Sequence, residues 1–188
     1  MASGKAPRLP SIGPNTKLLS FDLETNGLHG EAFAVGAVLI DATGRIISKF
    51  TARCPLNGLV NEWVQANVFP VITDMPETQQ SPKELREAFW AWYLHTEPEA
   101  DYVLVANGYP VEYRFLLQCQ EDDLDTRYWQ HPFPILDLTS VVLASGHDPS
   151  AKGEFISRIV REGNYARHNP VDDAIIAALV AFKAFKLS

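Results

Sequence analysis

Acidic residues recur in three short segments of the chain, and a histidine begins the last of them. Residues 21–25 contain Asp22 and Glu24, residues 107–112 end in Glu112, and residues 168–173 run from His168 to Asp173. Carboxylates bind divalent cations, and an imidazole can take a proton from an attacking water near neutral pH. Together, the three segments predict an enzyme that cuts phosphodiester bonds with divalent cations and a histidine base.

Asp22 and Glu24 lie at the end of a predicted strand. Alternate residues of a strand face the same side, so Leu19, Phe21 and Leu23 can point into the core while the two carboxylates point the other way. The carboxylates would stand about 7 Å apart, at two strand rises. They could share one divalent cation or hold two cations about 4 Å apart. The alternative is a strand with a solvated polar face.

The last segment pairs a histidine with the first turn of a predicted helix. The helix dipole favours a carboxylate at Asp173. His168 precedes the helix, so it can move over a substrate. Asp172 is the second choice, because it points about 100° away around the helix axis. An exposed loop histidine is the alternative interpretation of His168.

The middle segment leaves two carboxylates as candidates. Glu112 begins a predicted helix after a strand and a tight turn at residues 107–110. It could face the same centre, or it could simply favour the helix dipole. Asp137 ends another short predicted strand and competes with Glu112 as the fourth acidic ligand.

The elements that must position these residues follow from hydrophobic patterns and capping residues. Ser81 caps a helix that runs to about Leu94, and Asn169 caps the final helix. Strands are predicted at residues 17–23, 32–41, 46–52, 102–106 and 134–137, and the other helices at 62–69, 111–120, 138–144 and 171–185. Strands first, followed by alternating helices and strands, predict an α/β fold with a central mixed sheet flanked by helices.

Composition and charge limit the partners of the chain. Its 188 residues are 46% apolar and 21% charged, which is typical of a globular protein. Residues 1–15 are predicted to be a flexible arm, and residues 16–188 one domain that carries all three segments. No apolar run approaches the roughly 20 residues of a membrane helix, and no secretory signal is present. The net charge of −7 disfavours binding along duplex DNA but permits a short nucleic-acid end with cations.

Neither the cysteines nor the late cations predict a further site. Cys54 and Cys119 are too few for a disulfide framework and are interpreted as reduced thiols of a cytoplasmic protein. Trp63 is expected in the core or at its edge. Four cations are interpreted as solvated surface, namely Lys152, Arg158, Arg161 and Arg167.

The three segments resemble the motifs of the DEDDh branch of the DnaQ-like, or RNase T-like, 3′–5′ exonuclease superfamily. The first motif corresponds to residues 20–28, and the third to residues 168–174, with the family's five-residue step from His168 to Asp173. The second motif corresponds to residues 106–116. It departs from the family pattern, which usually has Asp where this chain has Glu112 and reaches it one residue sooner after Asn107.

The resemblance implies a ribonuclease H-like fold, two Mg²⁺ or Mn²⁺ ions and a set of site residues. Four carboxylates would hold the ions, namely Asp22, Glu24, Glu112 and Asp173. His168 would deprotonate the attacking water. The Thr25 amide and the Leu28 side chain would contact the terminal nucleotide, and Tyr109 could stack on a base.

The expected function is metal-dependent 3′–5′ exonuclease activity at single-stranded DNA or RNA 3′ ends. Two alternatives remain, which are a catalytically weak nucleic-acid-binding or proofreading subunit on the same fold and a hydrolase that trims short oligonucleotides. The acidic charge fits the second alternative, because short substrates need few phosphate contacts. A homodimer or a larger polymerase or repair assembly is compatible with each reading, and a membrane partner is not expected.

Overall fold

A computed structural model of the chain describes residues 13–106, 108–149 and 152–185. Most of the predicted N-terminal arm and Asn107 of the second motif therefore lie outside the described residues. The strands are β1 (Lys17–Thr25), β2 (Ala32–Asp41), β3 (Ile46–Arg53), β4 (Tyr102–Val105) and β5 (Ile135–Asp137). The helices are α1 (Glu62–Asn67), α2 (Phe69–Ile72), α3 (Pro82–Thr96), α4 (Val111–Glu121), α5 (Leu124–Arg127), α6 (Leu138–Ala144), α7 (Lys152–Gly163) and α8 (Pro170–Ala184), and a 3₁₀ turn spans Glu97–Glu99.

The strands form one mixed sheet with β1 at its centre. Within the described residues the sheet has five strands in the order β3-β2-β1-β4-β5. β1 pairs antiparallel with β2 and parallel with β4, so the sheet changes from antiparallel to parallel at β1. This architecture confirms the predicted α/β class and the predicted mixed sheet.

Hydrophobic cores cover both faces of the sheet. On one face, Leu19 and Phe21 of β1 pack with Phe89 of α3 and Phe115 of α4. On the other face, Leu18 of β1 packs with residues of α6, α7 and α8. β1 is therefore covered on both sides, and any polar side chain near its end is largely removed from water.

Side-chain caps define the helix starts that the sequence predicts. Ser81 Oγ accepts a hydrogen bond from the Glu84 amide at 3.2 Å, and Asn169 Oδ1 accepts one from the Val171 amide at 3.1 Å. Proline occupies the first turn of both helices. Because both caps are local in sequence, these starts are predictable without any knowledge of the tertiary structure.

Helix α7 is absent from the prediction, which notes only surface cations in this stretch. Arg158 and Arg161 are exposed, as predicted. Phe155, Ile156, Ile159 and Val160 recur with helical spacing and pack in the core beside α8. No proline marks its first turn, so the apolar stripe is the signal that was missed.

The described helices and the two cysteines bear on two further predictions. Among the described helices, none combines the length and apolarity needed to cross a membrane. Cys54 and Cys119 are buried free thiols, and burial raises the pKa of the Cys54 thiol to about 11. Both thiols are therefore protonated at neutral pH.

Candidate active site

Asp22 and Glu24 lie at the carboxyl end of β1, on the face that is covered by α8. Each is only 7% exposed, so the alternative of a solvated polar face is wrong. Both carboxylates line a cleft of about 520 Å³, which is large enough for a small ligand. The predicted placement of the pair opposite the Leu19 and Phe21 side chains is confirmed.

Gly36 permits α8 to approach this end of the sheet. It is the partner of Asp22 in the β1–β2 register. A Cβ atom at position 36 would lie 2.1 Å from the backbone nitrogen of Val171, so no larger residue fits without movement of the backbone. The close approach brings Asp173, in the first turn of α8, into the cleft beside Asp22.

Glu112 reaches the same cleft from α4, whereas Asp137 does not line it. Glu112 is 1% exposed and lines the cleft. Asp137 Oδ1 accepts hydrogen bonds from the Ser140 amide at 2.8 Å and from the Ser140 hydroxyl at 3.0 Å, and it thereby caps α6. The geometry therefore favours Glu112 as the fourth carboxylate.

The crowding of carboxylates changes their pKa values. Burial raises the pKa of Asp22 well above its ordinary value, and the charges of Asp173, Glu112 and Glu24 raise it further. Burial, followed by the charge of Asp173, raises the pKa of Glu24 to about 8. Arg167 opposes both shifts. The fold thus holds these groups together at an electrostatic cost that a bound cation would relieve.

His168 lies just before α8 in a left-handed backbone conformation. Its φ angle is +65°, in the left-handed region that residues with a side chain seldom adopt. The His168 amide donates a hydrogen bond to Asp173 Oδ2 at 2.7 Å. The His168 ring makes an edge-to-face contact with the Trp63 ring, with centroids 5.1 Å apart. His168 is therefore a part of the cleft wall rather than an exposed loop residue.

Three of the predicted site residues form a possible metal site. One ligand atom each from Glu24, His168 and Asp173 lies within 4.8 Å of the other two. Asp22 and Glu112 line the same cleft. Carboxylate oxygens suit Mg²⁺ and Mn²⁺, and the added imidazole nitrogen is also compatible with Zn²⁺.

An ion pair already occupies part of this site. Arg167 Nε lies 2.8 Å from Asp173 Oδ1, while Asp173 Oδ2 accepts from the His168 amide. Asp172 faces away, since its Oδ2 accepts a hydrogen bond from the Ala166 amide at 2.8 Å. Asp172 therefore holds the loop that precedes α8, and Asp173 faces the cleft.

Comparisons with known proteins give matches in structure but not in sequence. No protein-family model matches the chain, and no curated protein matches its sequence. A structure of exonuclease I that suggests how processivity is achieved superimposes with a TM-score of 0.53 and 16% identity over 89% of this chain. Escherichia coli exonuclease I in complex with a 5cy-dT13 oligonucleotide gives a TM-score of 0.51 and 17% identity over 90% of the chain.

The chain has the fold of one part of exonuclease I. The zinc-bound form of the E. coli exonuclease I complex with single-stranded DNA agrees, with a TM-score of 0.51 and 15% identity over 92% of this chain. The predicted resemblance to the DEDDh exonucleases is thereby confirmed at the level of the fold. This chain spans 40% to 41% of the length of the exonuclease I chains, so it corresponds to one part of those proteins.

On this exonuclease I fold, the predicted substrate-binding residues differ in their position. Thr25 and Leu28 line the cleft, and Leu28 is 65% exposed at its mouth. Tyr109 is 82% exposed but does not line the described part of the cleft. The roles of Thr25 and Leu28 stay predictions, and both residues lie where a substrate could reach them. The role of Tyr109 also stays a prediction, but Tyr109 lies away from the described cleft residues.

The sequence interpretation is wrong for Trp63 and incomplete for Arg167. Trp63 is 56% exposed and contacts His168, whereas the sequence predicts a position in the core or at its edge. Arg167 is exposed, as the sequence predicts, but it also lines the cleft and forms an ion pair with Asp173. The position of Arg167 directly before His168 was the available signal. The position of Trp63 depends on a contact between distant segments. The Asn61 amide, just before α1, donates a 2.7 Å hydrogen bond to Asn26 Oδ1.

Proposed function

We propose that this chain is a metal-dependent nuclease that acts as a 3′–5′ exonuclease on single-stranded DNA or RNA. The convergence of Asp22, Glu24 and Asp173 with His168 in one cleft carries the proposal. The exonuclease I fold supports it, because the solved relatives include complexes with an oligonucleotide and with single-stranded DNA.

The donor set of the cleft fits divalent cations. Asp22, Glu24, Glu112 and Asp173 would hold two Mg²⁺ or Mn²⁺ ions, since hard cations prefer carboxylate oxygens. The raised pKa values of Asp22 and Glu24 indicate that a cation is needed before all the carboxylates ionise together. When bound, the ions supply positive charge that stabilises the phosphate and the leaving 3′ oxygen in the transition state.

His168 accepts the proton of the attacking water. The water oxygen forms a bond to phosphorus, the bond from phosphorus to the 3′ oxygen of the preceding nucleotide breaks, and that oxygen gains a proton. A nucleoside 5′-monophosphate is released. The hydrogen bond from the His168 amide to Asp173 and the contact with Trp63 hold the imidazole at the cleft, which reduces the reorganisation needed for proton transfer.

The residues at the mouth of the cleft suit a terminal nucleotide as the substrate. Thr25 and Leu28 line the cleft, where the Thr25 amide and the Leu28 side chain would contact the terminal nucleotide, as the resemblance implies. Asn26 Nδ2 donates to the Leu59 carbonyl at 2.9 Å and so ties the first motif to the segment before α1. The mouth therefore has an ordered rim on which a terminal base can pack.

The proposal is tested by incubating the chain with oligonucleotides labelled at the 5′ end, with EDTA, Mg²⁺ or Mn²⁺. A ladder that shortens from the 3′ end, with mononucleotides as the product and only with a metal, is the expected result. Blocking the 3′ terminus should slow the reaction, and a series from dinucleotides to 30-mers separates an exonuclease from an oligonucleotide-trimming hydrolase. Binding of the oligonucleotide without any metal-dependent cleavage would contradict the enzyme and support the binding-subunit alternative.

A further inference from the structure

We propose that Arg167 exchanges partners when the cleft is loaded. It binds Asp173 while no divalent cation is present, and it binds the substrate phosphate once a cation has taken its place at Asp173. This inference rests on the proposed nuclease function. It assigns to Arg167 two roles in succession, a stand-in for the cation and a phosphate-binding residue.

The first role follows from the ion pair in the cleft. Arg167 Nε donates to Asp173 Oδ1 at 2.8 Å, and the Asp173 side chain is 13% exposed. Arg167 also lines the cleft together with the buried carboxylates of Asp22 and Glu24. Arg167 therefore neutralises part of the carboxylate cluster. A divalent cation at Asp173 would repel this guanidinium and compete with it for the same oxygen.

A pair elsewhere in the chain shows that this arrangement is not an ordinary surface ion pair. Arg158 and Glu162 on α7 form a pair at 2.7 Å, with side chains 60% and 59% exposed, one helical turn apart. Neither lines the cleft. Such an exposed pair contributes little. In contrast, Asp173 shares its cleft with the carboxylates of Asp22, Glu24 and Glu112.

The second role follows from the charges that line the cleft. Among the described residues that line the cleft, Arg167 is the only Lys or Arg. It stands beside carboxylates that would repel a phosphate. A guanidinium presents a planar fork of donors that matches a phosphate. The Arg167 side chain is 48% exposed, so it can leave Asp173 for a phosphate in the same cleft without movement of α8.

The first test measures Mn²⁺ binding alone, from the electron paramagnetic resonance signal of free Mn²⁺. Full-length wild-type protein, Arg167→Gln, Arg167→Lys and the matched control Arg158→Gln are compared. Arg167→Gln should bind Mn²⁺ about tenfold more tightly, because a charge-assisted hydrogen bond no longer competes. Arg167→Lys should stay near the wild type, and Arg158→Gln should not change.

The second test adds AMP to each protein at saturating Mn²⁺ and follows binding by calorimetry. Arg167→Gln should bind AMP about tenfold more weakly than wild type, with Arg167→Lys between the two, because a lysine keeps the charge but not the fork. Opposite shifts of the Mn²⁺ and AMP affinities in one variant are the signature of partner exchange. A merely structural role for Arg167 would weaken both.

The outcomes separate this inference from the proposed function. If the wild-type chain binds no Mn²⁺, the proposed function fails. If the wild type binds Mn²⁺ and Arg167→Gln binds it with the same affinity, only the exchange by Arg167 fails. If Arg167→Gln does not fold, as judged by circular dichroism, Arg167→Lys decides. Wild-type AMP affinity in that variant would then overturn the phosphate-binding role.

Discussion

The two ends of the β1–β2 ribbon hold carboxylates in opposite surroundings. At the end that leads into the turn between β2 and β3, Asp41 Oδ1 accepts hydrogen bonds from the Thr43 hydroxyl at 2.6 Å and from the Arg45 amide at 3.1 Å. These donors, and first of all the Thr43 hydroxyl, lower the pKa of Asp41 to about 2. At the other end, burial and the charge of Asp173 raise the pKa of Glu24 to about 8.

The difference separates a structural carboxylate from one that is suited to function. Asp41 has donors enough to remain ionised and stabilises the turn between β2 and β3. Glu24 lies among other carboxylates, so its ionised form opposes folding in the absence of a cation. Strongly raised pKa values in a cleft are typical of functional sites. The same pair of strands therefore carries a stable turn at one end and a cation-requiring cluster at the other.

Substitution at the cluster end should have the largest effect, on hydrolysis. Asp22→Asn should lower the rate of oligonucleotide cleavage at least about 1,000-fold, since bound cations contribute several kcal/mol to the transition state and about 1.4 kcal/mol is tenfold. Glu112→Gln should also lower the rate strongly. Rates are measured with labelled oligonucleotides in Mg²⁺, and circular dichroism checks the fold.

Asp137→Asn is the matched control for these two variants. Asn is as good a helix cap as Asp, so the start of α6 should be kept and the rate should stay within a few-fold of wild type. A large loss in Asp137→Asn with a normal rate in Glu112→Gln would exchange their roles. A wild-type rate in Asp22→Asn would show that the carboxylate cluster is not needed for cleavage.

Loss of the imidazole should have the next largest effect. His168→Ala should lower the rate by about 100-fold or more, which is the usual contribution of a general base. Because hydroxide can partly replace the base, the deficit should become smaller at high pH. The rate is measured from pH 6 to pH 10 in Mn²⁺. A variant whose pH profile has the same shape as that of the wild type would show that His168 is not the base.

Stability without metal should fall as the pH rises, because of the cluster. The pKa of Glu24 is raised from 4.5 to about 8 in the folded protein, so the folded state binds more protons than the unfolded state between these values. The contribution of Glu24 is fully present below pH 4.5 and is lost as the pH rises through 8. One such group changes the free energy of unfolding by up to about 1.4 kcal/mol per pH unit. Urea unfolding in EDTA from pH 5 to pH 9 measures this slope.

Two comparisons sharpen the result. Glu24→Gln should flatten the slope, and Mn²⁺ should stabilise the wild type more at pH 8 than at pH 5.5, because the cation binds the ionised carboxylates. If the metal-free wild type were equally stable across this range, the carboxylates would not be crowded as described, and the contrast with Asp41 would be lost.

Local sequence signals were enough to predict most of the fold and the carboxylates of the site. The alternation of Leu19, Phe21 and Leu23 with Asp22 and Glu24 already places the acidic pair on one face of a strand. Caps at Ser81 and Asn169 give the helix starts. These features are local, because they depend on residues two to four positions apart.

The contacts that the sequence did not reveal join residues that are distant in the chain. Gly36 matters because a backbone more than 130 positions later, at Val171, approaches it within 2.1 Å of where a Cβ would stand. Trp63 meets His168 only because α1 is tied to the first motif. The helix α7 is an exception, since its apolar stripe was present in the sequence.

The smallest expected effect belongs to the turn end of the ribbon. Asp41→Asn keeps the shape of the side chain but removes the charge, so the Thr43 hydroxyl and the Arg45 side chain lose a charge-assisted acceptor. It should lower the free energy of unfolding at pH 7 by about 1 kcal/mol or less, as for an exposed hydrogen-bonded pair.

Because the pKa of Asp41 is depressed from 3.8 to about 2, this contribution is present above pH 3.8 and is lost as the pH falls towards 2. The difference between the variant and the wild type in urea unfolding should therefore be constant from pH 5 to pH 9 and become smaller below pH 4. This is opposite in sign to the trend for Glu24→Gln. An Asp41→Asn variant that changed the slope above pH 5 would mean that the two ends of the ribbon are coupled, and the division between a structural and a functional carboxylate would fail.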